Sequence, residues 1–289
     1  MISNYFVKIS GSLFVLTGAF LISFSSVFVA TVDLEPTVSA FYRVFIGFLA
    51  LFIFYSIKEK ESPFRGEISR YLYIAAIIFV LDLWFWHRAI IYIGPGLSTL
   101  LASLQVLIIP FLSYFIFKEI IRKQQLVAVV IGVIGLFLCL SDNWQQAGSQ
   151  YKLGILFGIF TALAYSGYTV TLKKASFHNK QLTNPVHNLL IISLFSSILL
   201  AVIVLIENNS FAIKSSSDLL WMLCYGVICH VFGWIFILKG MQTISVVSVG
   251  IILIAQPILS FIWDVLFFNR AISLIEISGI CIVIAALFI

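Results

Sequence analysis

Of the 289 residues, 62% are hydrophobic and only 10% are charged, where soluble domains run at roughly 45–50% and about 25%. That excess excludes a water-soluble globular domain, because no core of this size hides so much apolar surface, and it makes lipid the solvent. The formal charge of +5 is not a nucleic-acid footprint, because the lysines and arginines fall in breaks between apolar runs, where they orient helices.

A bilayer core about 30 Å thick needs about 20 apolar residues per helix, and ten such spans follow in order. The first, 10–30, is too long for the apolar part of a signal peptide and reads as a retained helix; the turn Thr31–Pro36 closes it. The second covers 37–57 and leads into the most polar loop, Lys58 to Arg70. The third, 71–91, and the fourth, 95–117, are parted by the breaker Gly94-Pro95-Gly96. The fifth covers 124–141, and a polar linker, Ser141 to Gln150, divides the chain near its middle. The sixth to tenth spans are expected at 152–173, 186–206, 218–238, 244–268 and 272–289. Cys139, Cys224, Cys229 and Cys281 all fall inside apolar runs and read as small hydrophobes, not as a disulfide or metal site.

Positively charged loops stay cytoplasmic. With the N-terminus inside, twelve Lys and Arg fall on the inner side; Arg88, Lys152, Lys214 and Arg270 fall outside, and Arg43 is left within a helix. The charge asymmetry therefore puts the N- and C-termini in the cytoplasm. The stretch Phe85–Leu138 slides by 151 positions, without a gap, onto Phe236–Ile289. Arg88 meets Lys239, Gln105 meets Gln256, Phe117 meets Phe268, Glu119 meets Arg270 and Ala128 meets Gly279. Each half holds five helices, an odd number, so the second enters the membrane from the opposite side. Inverted halves rocking about a midplane site are a recurring transporter design.

The runs "FYRVFIGFLALFIF", "FKEIIRKQQLVAVVIGVIGL" and "AQPILSFIWDVLFFNRAISLIEISGICIVIAAL" resemble the EamA-type branch of the drug/metabolite transporter superfamily over essentially the whole chain. The resemblance implies an all-α integral membrane protein of ten transmembrane helices in two inverted five-helix repeats, 1–141 and 152–289. It also implies a secondary transporter of a small metabolite, such as an amino acid or related polar compound, in a bacterial inner membrane. In that family a proline precedes, by about a dozen residues, a glutamate that closes the fourth and ninth helices. Pro257 and Glu119 match this pattern, whereas Val106 and Arg270 stand at the other two positions; Arg43 matches the family's second-helix arginine. A membrane protein that kept the fold without transporting is the alternative.

A charge at mid-helix costs about 2.5–3.5 kcal/mol on insertion scales, so such groups must be paired or wet. With a rise of about 1.5 Å per residue, Asp264, Arg43, Asp82 and His230 lie about 6, 10, 15 and 18 Å below the outer boundary. That shared depth suits one cavity opening outward. Two readings stay open for Arg43 and Asp82: a locked ion pair, or a pair that holds substrate. Asp264 is expected to reach the outer headgroups. His230 reads as a hydrogen-bonding group, with proton coupling as its second reading. Trp86, Tyr165 and Trp234 supply aromatic walls suited to a small organic ligand. Gln105 and Gln256, at equivalent positions of the two halves, read either as substrate contacts or as glue between helices. Catalytic spacings, phosphate loops and metal spacings are absent from the sequence, so no enzyme activity, cofactor, metal or nucleic-acid partner is expected. The expected partners are a small molecule and the bilayer.

Overall fold

The computed structural model describes residues 2–59, 64, 68–118, 120–144, 148–178, 185–241, 243 and 252–287. Among these, α1 (Ile2–Ser23) and α2 (Ser25–Thr31) make the first span, and α3 (Pro36–Glu59) and α4 (Arg70–Ile93) make the second and third. The fourth span is α5 (Pro95–Ser103) followed by α6 (Gln105–Phe117), and the fifth and sixth are α7 (Lys123–Trp144) and α8 (Ser149–His178). Then come α9 (Pro185–Ile206), α10 (Ser216–Cys224), a π-helical segment (Tyr225–Gly233), α11 (Trp234–Met241), α12 (Ala255–Phe268) and α13 (Leu274–Leu287). Eight of the spans are long and apolar enough to cross a bilayer, and α12 and α13 are shorter apolar helices at the ninth and tenth positions. Glu119, Lys60, Arg65, Lys180 and the first part of the ninth span, 244–251, lie outside the described residues.

The packing is that of a repeat. The most extensive helix contacts pair the third span with the sixth, the fifth with the tenth, the second with the seventh, the first with the eighth and the fourth with the ninth. Exchanging the halves maps three of these pairs onto themselves and swaps the other two. The shift of 151 also appears in the backbone. Lys118 and Asn269, 151 apart, both end their helices in the left-handed region, with φ of 58° and 51°, a conformation that caps a helix by redirecting the chain.

Four spans expected as continuous helices are broken, and the causes are local. At Phe24 (φ −73°, ψ −11°) the Ser23 carbonyl accepts from Ser260 Oγ at 3.0 Å, and a carbonyl drawn off the helix axis kinks the chain. At Leu104 the amide bonds to Leu101 at 3.1 Å, a tighter 3₁₀-type step, just after Ser98, Thr99 and Ser103 turn their hydroxyls onto backbone carbonyls. The break at Ile254 falls one turn before Pro257, whose ring and missing N–H disrupt the preceding turn. In the eighth span the π-segment contains Gly226 and Gly233, where an added Cβ would meet Ile46 side-chain atoms at 2.7 Å and Ile22 at 2.5 Å. The first and second spans therefore approach this segment more closely than a side chain would allow. The linker between the halves is shorter than expected, because α7 continues to Trp144 and α8 begins at Ser149.

Candidate functional site

The site forms where the second, third, sixth and eighth spans meet. Arg43 on α3 is buried. Its Nη1 donates to the Tyr225 hydroxyl at 3.0 Å. The guanidinium carbon lies 5.0 Å from the Tyr225 ring centroid, 5.7 Å from Trp86 and 5.9 Å from Phe79. Each ring face attracts a cation. Nε has no hydrogen-bond partner among the described residues.

Beyond Tyr225 the chain of bonds continues. The Tyr225 hydroxyl stands 3.2 Å from His87 Nε2, and His87 Nδ1 stands 2.7 Å from the Leu83 carbonyl. A carbonyl only accepts, so Nδ1 carries a proton. Tyr225 accepts from Arg43, which leaves its own proton for His87 Nε2. All three bonds then run one way, from Arg43 through Tyr225 and His87 to the backbone of α4.

His230 is fully buried and obeys the same logic. Its Nε2 lies 2.8 Å from Ser193 Oγ, and that hydroxyl donates to the Leu189 carbonyl at 2.7 Å. Ser193 must therefore accept from Nε2–H, which leaves Nδ1 as a bare acceptor, buried and without a partner among the described residues. The His230 ring stacks on Phe79, with centroids 6.2 Å apart, the same Phe79 that flanks Arg43. Trp234, one turn on, packs against the core cluster containing Phe79, and its Nε1–H is likewise buried and unpaired. Tyr225 and His230 are five residues apart. An α-helix splits that spacing by about 140°, whereas a π-turn, which closes i→i+5, brings the two onto one side.

Asp82 on α4 is buried and feels the Arg43 charge. The direct ion pair expected between them is not formed, and Asp82 accepts no hydrogen bond among the described residues. The reason lies in the eighth span: Tyr225 takes Nη1, and the rings of Phe79 and Trp86 flank the guanidinium. Tyr165 and Tyr168 of α8 complete the wall. Their rings stack at 6.1 Å, Tyr168 stacks on Phe79 at 4.9 Å, and both hydroxyls feel Asp82 and Arg43. Gln105, the first residue after the break in the fourth span, stands beside the Tyr165 hydroxyl. Gln256, its repeat mate, is partly buried and forms no hydrogen bond among the described residues.

The structure thus gathers Arg43, Asp82, Trp86, Tyr165, His230 and Trp234 around Phe79, sets Gln105 at the edge, and leaves Gln256 apart. Tyr225, Tyr168 and Ser193, which were not expected there, complete the cluster together with His87. Asp264 does not reach toward headgroups. It is buried, bonded to Arg270 Nη1 at 3.1 Å and to the Gly96 amide at 3.0 Å. Arg270 also pairs with the buried Glu276. Arg88 is satisfied too. It bonds Glu207 at 2.7 Å and Thr37 Oγ1 at 3.1 Å, and it lies 3.7 Å from the Trp84 ring centroid.

Comparison with known proteins bears on the family and the fold. The sequence pattern of the EamA-like transporter family matches residues 9–141 and again 152–289. An uncharacterized transporter of Archaeoglobus fulgidus is 24% identical over 280 residues, covering 96% of this chain and 95% of the relative. An uncharacterized transporter of Clostridium kluyveri is 25% identical over 236 residues, 79% of this chain and 74% of the relative. An uncharacterized inner membrane transporter of Escherichia coli is 24% identical over 151 residues, 48% of this chain and 46% of the relative. One solved crystal structure superposes with a TM-score of 0.67 at 18% identity, over 96% of this chain and 95% of the other, a likeness of fold.

Proposed function

Because this chain belongs to the EamA-like transporter family, we propose that it is a secondary transporter carrying a small polar zwitterion, of the amino-acid class, by alternating access between halves 1–141 and 152–289. The single observation that carries this reading is Arg43: a buried cation with no carboxylate in contact and Nε left unpaired among the described residues. Leaving a buried charge without a counter-charge is expensive, and a substrate carboxylate supplies the missing one.

The neighbouring atoms support the other half of the substrate. Asp82 and the bare Nδ1 of His230 are acceptors, which suits an ammonium group, and Trp234 Nε1–H adds a donor beside them. A ligand with one anionic and one cationic end satisfies these groups, and Phe79, Trp86, Tyr165 and Tyr168 wall it from lipid. The same bare Nδ1 supports proton coupling as a second reading, in which an imposed pH gradient drives uptake. We also propose a bacterial cell membrane with cytoplasmic termini, which fits the charge asymmetry of the loops and the E. coli relative.

Purified protein in liposomes, loaded with a mixed pool of isotope-labelled amino acids, tests the reading. It predicts counterflow of at least one zwitterion, lost in Arg43→Gln. Flux of none of the pool, or equal flux in the variant, contradicts it. Single cysteines in 207–217 should label from outside intact cells and those in 174–185 should not; the reverse pattern overturns the orientation.

A further inference from the structure

The buried charges at the Gly94 end of the bundle have a different task from those of the central site. The fourth span of one half and the ninth span of the other meet there. Gly94 adopts φ 83°, which turns the chain so that the Gly96 amide donates to Asp264 Oδ2 at 3.0 Å. A Cβ on Gly96 would lie 2.9 Å from Phe261 Cα and 3.0 Å from Asp264 Oδ2, so the halves touch backbone to backbone. Asp264 is fixed from its own half by Arg270 at 3.1 Å, and Arg270 is held in turn by Glu276. Two buried carboxylates with the half-buried Arg270 between them therefore form a chain that ends on one amide across the boundary between the halves.

The repeat supplies an internal control at the other end of the bundle. Shifted by 151, Asp264 falls on Ser113 and Glu276 on Gln125. Ser113 is buried but uncharged. Gln125 only caps its own helix, accepting from the Arg122 amide at 2.7 Å. The mates of both carboxylates are thus neutral, although the helices are repeats of one another; Glu119, the mate of Arg270, lies outside the described residues.

We propose that Asp264, Arg270 and Glu276 are a charge latch on the Gly94 end, with neutral residues at the repeat mates of its two carboxylates, and that it biases the resting protein to keep that end closed. This rests on the two-state reading of the transporter, but its test reads access and not transport. A buried carboxylate held by an arginine and an amide is bound more strongly than neutral groups. Opening this end therefore requires breaking these interactions.

The test places one reporter cysteine beneath the latch. Ser98 is fully buried and bonds only within its own helix, to the Pro95 carbonyl at 3.1 Å, so Ser98→Cys is a mild change. In a background with the four native cysteines replaced, an impermeant maleimide is applied to intact cells and to inverted vesicles, so that both faces are sampled. With the latch intact, Cys at 98 stays protected from the face bearing the Gly94 end. Asp264→Ser, which installs the repeat mate's residue and leaves Arg270 paired to Glu276, should raise labelling from that face about tenfold or more. Folded Asp264→Ser protein that stays as protected as the parent overturns the proposal. Where the variant does not fold, amide hydrogen exchange on the wild-type protein decides. The latch predicts slower exchange at Gly96 than at Arg122, beside Gln125 at the other end; equal or faster exchange at Gly96 overturns the proposal. Loss of transport with unchanged labelling counts against the transport reading alone.

Discussion

Two arginines in this protein, Arg43 buried and Arg270 half-buried, are held in opposite ways. Arg270 contacts two carboxylates, Asp264 and Glu276. Arg43 contacts none among the described residues; a phenol hydroxyl and three ring faces surround it, and Nε is unpaired. Both sit where a charge is costly. The protein neutralises one by itself, and we propose that a substrate neutralises the other. Arg88, with Glu207 at 2.7 Å, sides with Arg270. A buried charge in a membrane protein is thus informative only once its counter-charge has been sought.

The contrast is sharpest if Arg270 is removed. Arg270→Leu strands two carboxylates that are almost fully buried, and breaking a buried pair costs about 3–5 kcal/mol. The expected result is loss of folded protein, or a large fall in Tm in detergent. A Tm unchanged from wild type would dissolve the distinction between the two arginines.

A smaller effect is expected at Tyr225. Tyr225→Phe keeps the ring under Arg43 but removes the hydroxyl that accepts from Arg43 and donates to His87. Leaving buried polar groups unsatisfied costs about 1–3 kcal/mol, read as a moderate Tm shift. Arg43 also loses its one side-chain hydrogen bond among the described residues, so transport should weaken more than in a substitution of equal stability elsewhere in the core.

Trp234→Phe should have the smallest effect on folding. Its Nε1–H has no partner among the described residues, so removing it forfeits no hydrogen bond there, and Tm should shift by less than about 1 kcal/mol equivalent. Substrate binding, measured by calorimetry once a transported compound is in hand, should weaken several-fold. A large Tm loss with unchanged binding would return Trp234 to the core.

Much of the architecture was legible in the sequence because it is periodic. Apolar length gives the spans, and a constant shift of 151 gives the repeat down to the paired left-handed residues Lys118 and Asn269. Arg43 and Asp82 announced themselves as charges in apolar runs. Their pairing did not follow, because equal depth on adjacent helices does not fix which way a guanidinium points. Tyr225 lies 182 residues from Arg43 and is one tyrosine in an aromatic-rich chain, so nothing in the sequence singles it out. Its alignment with His230 depends on a π-segment, which no glycine or proline pattern specifies. The helix breaks at Phe24 and Leu104 are equally silent, since they arise from serine and threonine hydroxyls competing for backbone carbonyls. Asp264, Arg270 and Glu276 did leave a signal: acid, base and acid spaced by six residues around the turn after the ninth span. That spacing fits no helix face, and only the turn at Asn269 brings the three together.

If Arg43 is kept unneutralised for a substrate, the double variant Arg43→Gln with Asp82→Asn keeps its fold and loses transport. Removing both charges removes any cost of stranding one of them. The account predicts a Tm close to wild type and no counterflow of any labelled amino acid in liposomes. A double variant that transports as well as wild type would show that the two charges serve only to hold the helices together.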